Sequence, residues 1–241
     1  MITAVVTKFE RLEYFNEQIG ALYNQSMPPS EILVCDNTKY NRGVWQRFAD
    51  ALLAKNDYIF IVDDDVIPGE FWLQNCYNQI KKEPALYPCT GVIFEDPNAM
   101  GEIDSDGRMS TIFHTKYGSE GSEICTYNTE NKIVDYGIQS YFFKKTWLQY
   151  LWEIPFDPNM KFYGEDLLLA FQLQKYGINT ISPSVDPLDK RTWGNIKPEY
   201  NFKGGLWPNN ENDQHKNTQK LYARIRKEGF GIVNFPELNL I

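Results

Sequence analysis

Three consecutive carboxylates, Asp63, Asp64 and Asp65, close the apolar run YIFIV, and two more, Glu165 and Asp166, open the run GEDLLLAFQL. Carboxylates packed this closely repel one another, and protonation or a bound cation relieves the repulsion. A hard divalent ion, Mg2+ or Mn2+, meets that need with one or two protein carboxylates, water and ligand phosphates. A solvated acidic turn or a helix N-cap is the other reading of the triplet, and the apolar strand ahead of it favours a site. For Glu165 and Asp166 the helix dipole alone explains acids in a first turn. Phe162 and Tyr163 just before them add an aromatic wall beside a carboxylate, which suits a sugar cleft with an embedded general base.

The elements around these acids read as an alternation of strands and helices. Ile2 to Val6 is a short β-branched run, and Leu12, Phe15, Ile19 and Leu22 then mark one face of a helix within Glu10 to Gln25. Pro28 and Pro29 end it, and EILVCDN returns as a buried strand ending in polar residues. A helix from about Val44 to Ala54 precedes YIFIVDDD; Trp72, Cys76 and Ile80 share a face of the next helix, and Ala85 to Phe94 is a strand. Glu95 to Tyr127 shows no period and reads as a long loop or a small hairpin. Ile133 to Lys145 resumes as one strand, KTWLQYLW is helical, and the helix after GED is closed by Gly177 before the strand INTISPSV. A loop rich in Asn, Gly, Trp and Pro and a helix from about Asn212 to Lys227 complete the chain, with Leu221 and Ile225 facing inward. The expectation is a mostly parallel, layered α/β sheet, in which ligands bind beyond the carboxyl ends of the strands. Thr7 to Phe9, Asp36 with Asn37, and Asp63 to Asp65 all fall there.

Composition narrows the function. At 241 residues, 42% hydrophobic and 23% charged, the chain suits one substantial core rather than a disordered or repetitive polymer. Its net charge of −8, with no sustained basic run, argues against nucleic-acid binding. Cys35, Cys76, Cys89 and Cys125 include no CxxC pair and no cluster with His, so zinc spacing is absent and a reduced compartment is expected. Neither a signal peptide nor a membrane-spanning run is evident, which gives the expectation of a cytoplasmic protein without a transmembrane segment.

With these residues in place, the chain resembles family 2 nucleotide-sugar glycosyltransferases of the GT-A fold over roughly residues 2–195. VVTKFERLEYFNEQIGALYNQSMPPSEILVCDN is similar to that family's opening strand, helix and strand, IFIVDDDVIP to its DxD segment, and FYGEDLLLAFQLQKYGINT to its acidic pair ahead of a helix ending in Gly. The resemblance implies a catalytic domain over 1–195, with 196–241 a C-terminal helical extension packed on it. It further implies a nucleotide-diphosphate sugar donor, UDP-linked by default and GDP-linked as the alternative. The hydroxyl acceptor would belong to a glycan, a glycoprotein or a lipid-linked sugar, and the cofactor would be Mn2+ or Mg2+.

Carried onto this sequence, Thr7 and Phe9 would line the nucleobase pocket, Asp36 would hydrogen-bond the base, and Asn41 and Arg42 would contact the nucleotide. Asp63 would reach the ribose, Asp64 would border the donor, and Asp65 would ligate the metal. Asp166 would be the general base of an inverting displacement, with Glu165 beside it holding the acceptor. Arg42 reads equally as a surface ion pair. His215 offers a third metal ligand or is a solvated helical residue, and His114 is a weaker candidate. Arg191 and Trp193 belong to a loop over the diphosphate, or Trp193 anchors the C-terminal helix. Gln139, Tyr141 and Trp147 lie near the acceptor side or in the core. A nucleotidyltransferase would need a Gly-rich phosphate loop after the first strand, which VVTKFERLE lacks; a non-catalytic nucleotide-sugar or glycan-binding module of the same fold is the rival outside enzymes.

Overall fold

The computed structural model describes residues 1–94, 122–155, 157–202 and 211–239. A six-stranded sheet runs through the centre. Strands β1 (Ile2–Lys8), β2 (Glu31–Asp36) and β3 (Tyr58–Val62) form its parallel part, with β1 in the middle. Strand β7 (Tyr136–Lys144) pairs antiparallel with both β3 and β4 (Tyr87–Phe94), so β4 points the same way as β1 to β3. β5 (Ser122–Cys125) adds antiparallel to β4. The layered α/β expectation therefore holds, with four of six strands aligned.

Burial explains the sequence pattern. β3 and β4 are buried along their whole length, as near-continuous apolar runs demand when helices cover both faces. Edge strand β2 exposes Val34. Helix α1 (Leu12–Tyr23) buries Tyr14, Gln18 and Leu22, one residue per turn. Helices α2 (Gln46–Ala51) and α3 (Trp72–Lys82) follow, the latter burying Trp72, Leu73, Cys76 and Ile80. Helix α4 (Leu148–Leu151) is a single turn, and α5 (Glu165–Lys175) is buried from Leu167 through Leu173. Gly177, at φ 69°, ends α5 in the left-handed conformation that glycine adopts without cost, and the Ile178 N–H returns to the Leu173 carbonyl at 3.0 Å.

One strand reading needs correction. Ile133 to Lys145 is not one strand: it breaks at Asp135 into β6 (Lys132–Val134) and β7, and β6 pairs with β8 (Thr180–Ser182) in a separate two-stranded sheet. The break has a cause in Asp135, whose buried carboxylate accepts from the Phe94 N–H at 2.6 Å and the Val233 N–H at 2.7 Å. The described end of the long irregular stretch is a strand, β5, while residues 95–121 lie outside the described residues. Helix α6 (Glu211–Lys227) buries Leu221, Tyr222 and Ile225 in the same core as the sheet, and Phe230 meets Phe171 edge-on at 6.0 Å. Cys35, Cys76 and Cys89 are buried free thiols.

Candidate active site

The parallel register gathers the first group of site residues. Thr7 stands opposite Cys35 and Lys8 opposite Asp36 across β1 and β2, and Val6 faces Val62 across β1 and β3. Thr7, Asp36 and Asp63 therefore reach the same carboxyl edge of the sheet. Asp36 is exposed and bonded by the Thr38 hydroxyl at 2.6 Å and the Thr38 N–H at 3.0 Å, which hold its carboxyl below the usual range. Arg42 donates to the Asp36 carbonyl at 3.2 Å and to Asn37 Oδ1 at 3.3 Å, so it braces the turn after β2. Asn41 Oδ1 accepts the Gly43 N–H at 2.8 Å within its own loop.

That loop is clamped to the one ahead of α5. The Val44 N–H reaches the Lys161 carbonyl at 3.0 Å, and Trp45 Nε1 reaches the Met160 carbonyl at 2.8 Å. Gly43, at φ 85°, leaves no room for a Cβ, which would collide with the Lys161 carbonyl. Gly164, at φ 83°, opens α5 and packs against Leu221 of α6. The expected nucleotide loop and the acidic pair, far apart in sequence, are thereby held as one wall.

Two buried arginines pair with four of the five carboxylates. Arg47, on the buried face of α2, binds Asp63 Oδ1 through Nη1 and Glu165 Oε1 through Nη2 at 2.8 Å, joining the end of β3 to the start of α5. Arg11, at the start of α1, places Nη1 3.1 Å from Asp64 Oδ1 and 2.8 Å from Asp65 Oδ2. Gln18 fixes the backbone between them, donating at 2.7 Å to the carbonyls of both Asp63 and Val66. The Asp63 N–H bonds the Gln139 carbonyl at 2.9 Å, and Gln139 has φ 75°, a conformation non-glycine residues rarely hold.

The electrostatics follow from burial. Removal from water pushes Asp63 up, aided by the charges of Asp65, Glu165 and Asp64 and opposed by Arg47. Burial likewise raises Asp64 against the pull of Arg11. Burial and then the adjacent Glu165 charge push Asp166 up to about 7; its Oδ1 accepts the Leu167 N–H at 2.8 Å. Five carboxylates against two guanidiniums leave three formal negative charges in excess. Protonation or a cation must absorb that excess if an anionic ligand is to enter.

The donor set fits a cation that leans on its ligand. Asp65 Oδ1 and Asp64 Oδ2 have no partner among the described residues, whose His, Cys, Asp and Glu form no cluster of three able to cage a metal. Mg2+ and Mn2+ rely on one or two carboxylates and take phosphate and water for the rest. His114 lies outside the described residues, as does the side chain of His215, whose backbone belongs to α6.

The remaining candidates scatter. Arg191 pairs with Asp189 at 2.7 Å and stacks over Phe71 at 4.8 Å, and Trp193 donates through Nε1 to the Asp186 carbonyl at 2.9 Å and packs on Tyr127. Their backbone is laced to the stretch after the acidic turn, with the Gly69 N–H on the Trp193 carbonyl and the Phe71 N–H on the Arg191 carbonyl. Tyr141 and Trp147 are buried, Tyr141 beneath the Arg47 guanidinium. Phe9 is half-buried one residue beyond β1. Arg11 and Arg47 were not anticipated. Arg47 had a signal, a lone cation sharing the apolar helical stripe of Phe48 and Ala51; Arg11 had only its position four residues after Thr7.

No family model matches the chain, and no curated protein matches it in sequence. Among solved structures, the mannosyltransferase PcManGT from Pyrobaculum calidifontis in complex with GDP-Man and Mn2+ is similar at 15% identity and a TM-score of 0.48. The match covers 80% of this chain, which spans 58% of the length of that one. A197 from STIV is similar at 15% identity and a TM-score of 0.42, over 76% of this chain and 81% of that one. Among the described residues, no helix is long and apolar enough to cross a membrane.

Proposed function

We propose that the chain is a metal-dependent glycosyltransferase that moves a sugar from a nucleotide diphosphate to a hydroxyl acceptor with inversion, the donor being UDP-linked by preference and GDP-linked otherwise. The observation that carries this reading is the junction of the β3 carboxylates with the acidic pair of α5 through Arg47. It unites an acid-rich floor at the sheet edge with Asp166, a carboxyl raised by burial that has no ion-pair partner among the described residues.

Thr7, Phe9, Asp36, Asn41 and Arg42 would receive the nucleoside, with Arg42 offering a guanidinium to base edges or phosphate. Asp63 and Asp64 would border the ribose and sugar, and Arg191 and Trp193 would lie toward the diphosphate. Asp65, with the open oxygen of Asp64, would hold Mn2+ or Mg2+. A divalent cation bound there neutralises the charge that develops on the diphosphate as the anomeric bond breaks. Asp166 would take the proton of the acceptor hydroxyl while its oxygen forms the new bond to the anomeric carbon, and the nucleoside diphosphate departs with the electron pair of the broken C–O bond. Glu165, held by Arg47 at 2.8 Å, would orient the acceptor. The acceptor would be a sugar hydroxyl of a glycan, a glycoprotein or a lipid-linked chain. A pKa near 7 suits Asp166 to this work, since the base must be free at neutral pH and still take up a proton.

Calorimetric titration of UDP and then GDP, each with and without Mn2+, tests the donor site. Metal-dependent binding of one nucleotide that vanishes in Asp65→Ala is expected. Absence of binding by folded protein would sink the reading and favour a glycan-binding module. Asp166→Asn should abolish transfer and keep nucleotide affinity, and transfer at the wild-type rate in that variant would remove Asp166 from its role.

A further inference from the structure

A cavity of about 420 Å3 lies between α3 and the segment after β8, and it shares no residue with the carboxylate cluster. Phe71, Gln74, Asn75 and Asn78 form one wall. Ser184, Asp186 and Thr192 form the other, with Thr129 between. The walls are fixed to each other and within themselves. Asn75 Nδ2 donates to the Ser184 carbonyl at 2.9 Å, and Gln74 Nε2 donates to Asn78 Oδ1 at 3.0 Å. Thr192 Oγ1 accepts the Asp186 N–H at 3.0 Å, while Asp186 Oδ1 accepts the Leu188 N–H at 2.9 Å.

These bonds leave the Asn78 amide N–H groups, the Gln74 side-chain carbonyl and the Thr129 hydroxyl without partners among the described residues. Carboxamides and hydroxyls of this kind both donate and accept along fixed directions, which matches a ligand made of hydroxyl groups. Phe71 adds an aromatic surface for the C–H face of a sugar ring. An anion is disfavoured: among the described residues no Lys or Arg lines the cavity, Asp186 does, and nearby Arg191 is already committed to Asp189. Small-molecule sites run from about 300 to 1,000 Å3, so the volume admits a mono- or disaccharide.

We infer that this cavity is a subsite for a neutral saccharide, separate from the carboxylate cluster. It gives the segment DPLDKRTWGN a second task, since Thr192 and Asp186 wall the subsite and Arg191 stacks on Phe71, which also lines it.

Saturation-transfer NMR on the full chain, without nucleotide or metal, tests the subsite with the methyl glycosides and disaccharides of mannose, glucose, galactose and N-acetylglucosamine. At least one should receive saturation. Asn78→Trp, at an exposed position of α3, should fill the cavity and abolish the signal. Gln74→Ala, which removes about one hydrogen bond, should weaken the affinity about fivefold. UDP and GDP affinities should be unchanged in both variants. No signal from any saccharide, a signal that survives both substitutions, or displacement of the sugar by inorganic phosphate would overturn the assignment. Because no nucleotide is present, failure here and failure of the donor-site titration are separate results.

Discussion

Arg11 and Arg47 each hold two carboxylates, yet they do different work. Arg11 gathers Asp64 and Asp65, adjacent in sequence and each partly open to solvent, so its bonds neutralise charge within one turn. Arg47 reaches partners 16 and 118 residues away, and its guanidinium packs over both Phe48 and Tyr141. One arginine tunes a local charge, and the other stitches the sheet edge to the helix that carries the proposed base. The contrast shows that a site of this kind needs its cations as much as its acids: without them the buried acids would have to take up protons.

Removing the stitch should be the largest single perturbation. Arg47→Ala would leave Asp63 and Glu165 buried and uncompensated, a loss of about 3–5 kcal/mol. Urea unfolding should show it as a lower midpoint with the slope unchanged. Loss of less than about 1 kcal/mol would mean that the two carboxylates simply protonate. Arg47→Lys, which keeps the charge but not the fork, should recover only part of the loss.

The pH dependence of stability should reveal the carboxyl that Arg47 does not touch. Burial raises Asp166 to about 7 and Asp135 to about 6. The unfolded chain releases these protons at about pH 4, so the stabilisation is fully present below that pH and is lost as pH rises through 6 and 7. Metal-free protein should be less stable at pH 8 than at pH 5, with Asp166 contributing on the order of 2 kcal/mol. Asp166→Asn should flatten its share of the profile. An unchanged profile in that variant would mean that Asp166 is ionised throughout.

A smaller effect is expected where the two walls meet. Gly43→Ala forces a Cβ against the Lys161 carbonyl at a positive φ, for a cost of about 1–2 kcal/mol. Because the loop carries Asn41 and Arg42, nucleotide affinity should fall along with the melting temperature. Loss of stability with affinity intact would show that the clamp does not shape the nucleotide pocket.

Much of this was legible in the sequence. Strands β1 to β4 announced themselves as apolar runs ending in polar residues, and the acid groups at Asp63 and Glu165 could be placed at strand and helix ends. Strand direction was not legible, because an apolar run reads the same parallel or antiparallel; β7 enters between β3 and β4 without any local mark. The split at Asp135 was hidden for the same reason, since its carboxylate is satisfied by backbone from Phe94 and Val233. Arg47 could have been suspected from its apolar neighbours, but its partners could not, because one ion pair spans 118 residues.

Arg11 gives the smallest stability change and the sharpest test of the contrast. Its carboxylates can turn to water, so Arg11→Ala should cost only about 1 kcal/mol. The charge left behind is what matters. With the guanidinium gone, Asp64 and Asp65 face the site unneutralised, and a divalent cation meets one fewer positive charge within a few ångströms. Mn2+ binding without nucleotide, followed by electron paramagnetic resonance, should therefore tighten several-fold in Arg11→Ala and stay at its wild-type value in Arg47→Lys. If Mn2+ affinity instead falls in Arg11→Ala, then Arg11 organises the metal carboxylates rather than competing for them, and the two arginines are doing the same job after all.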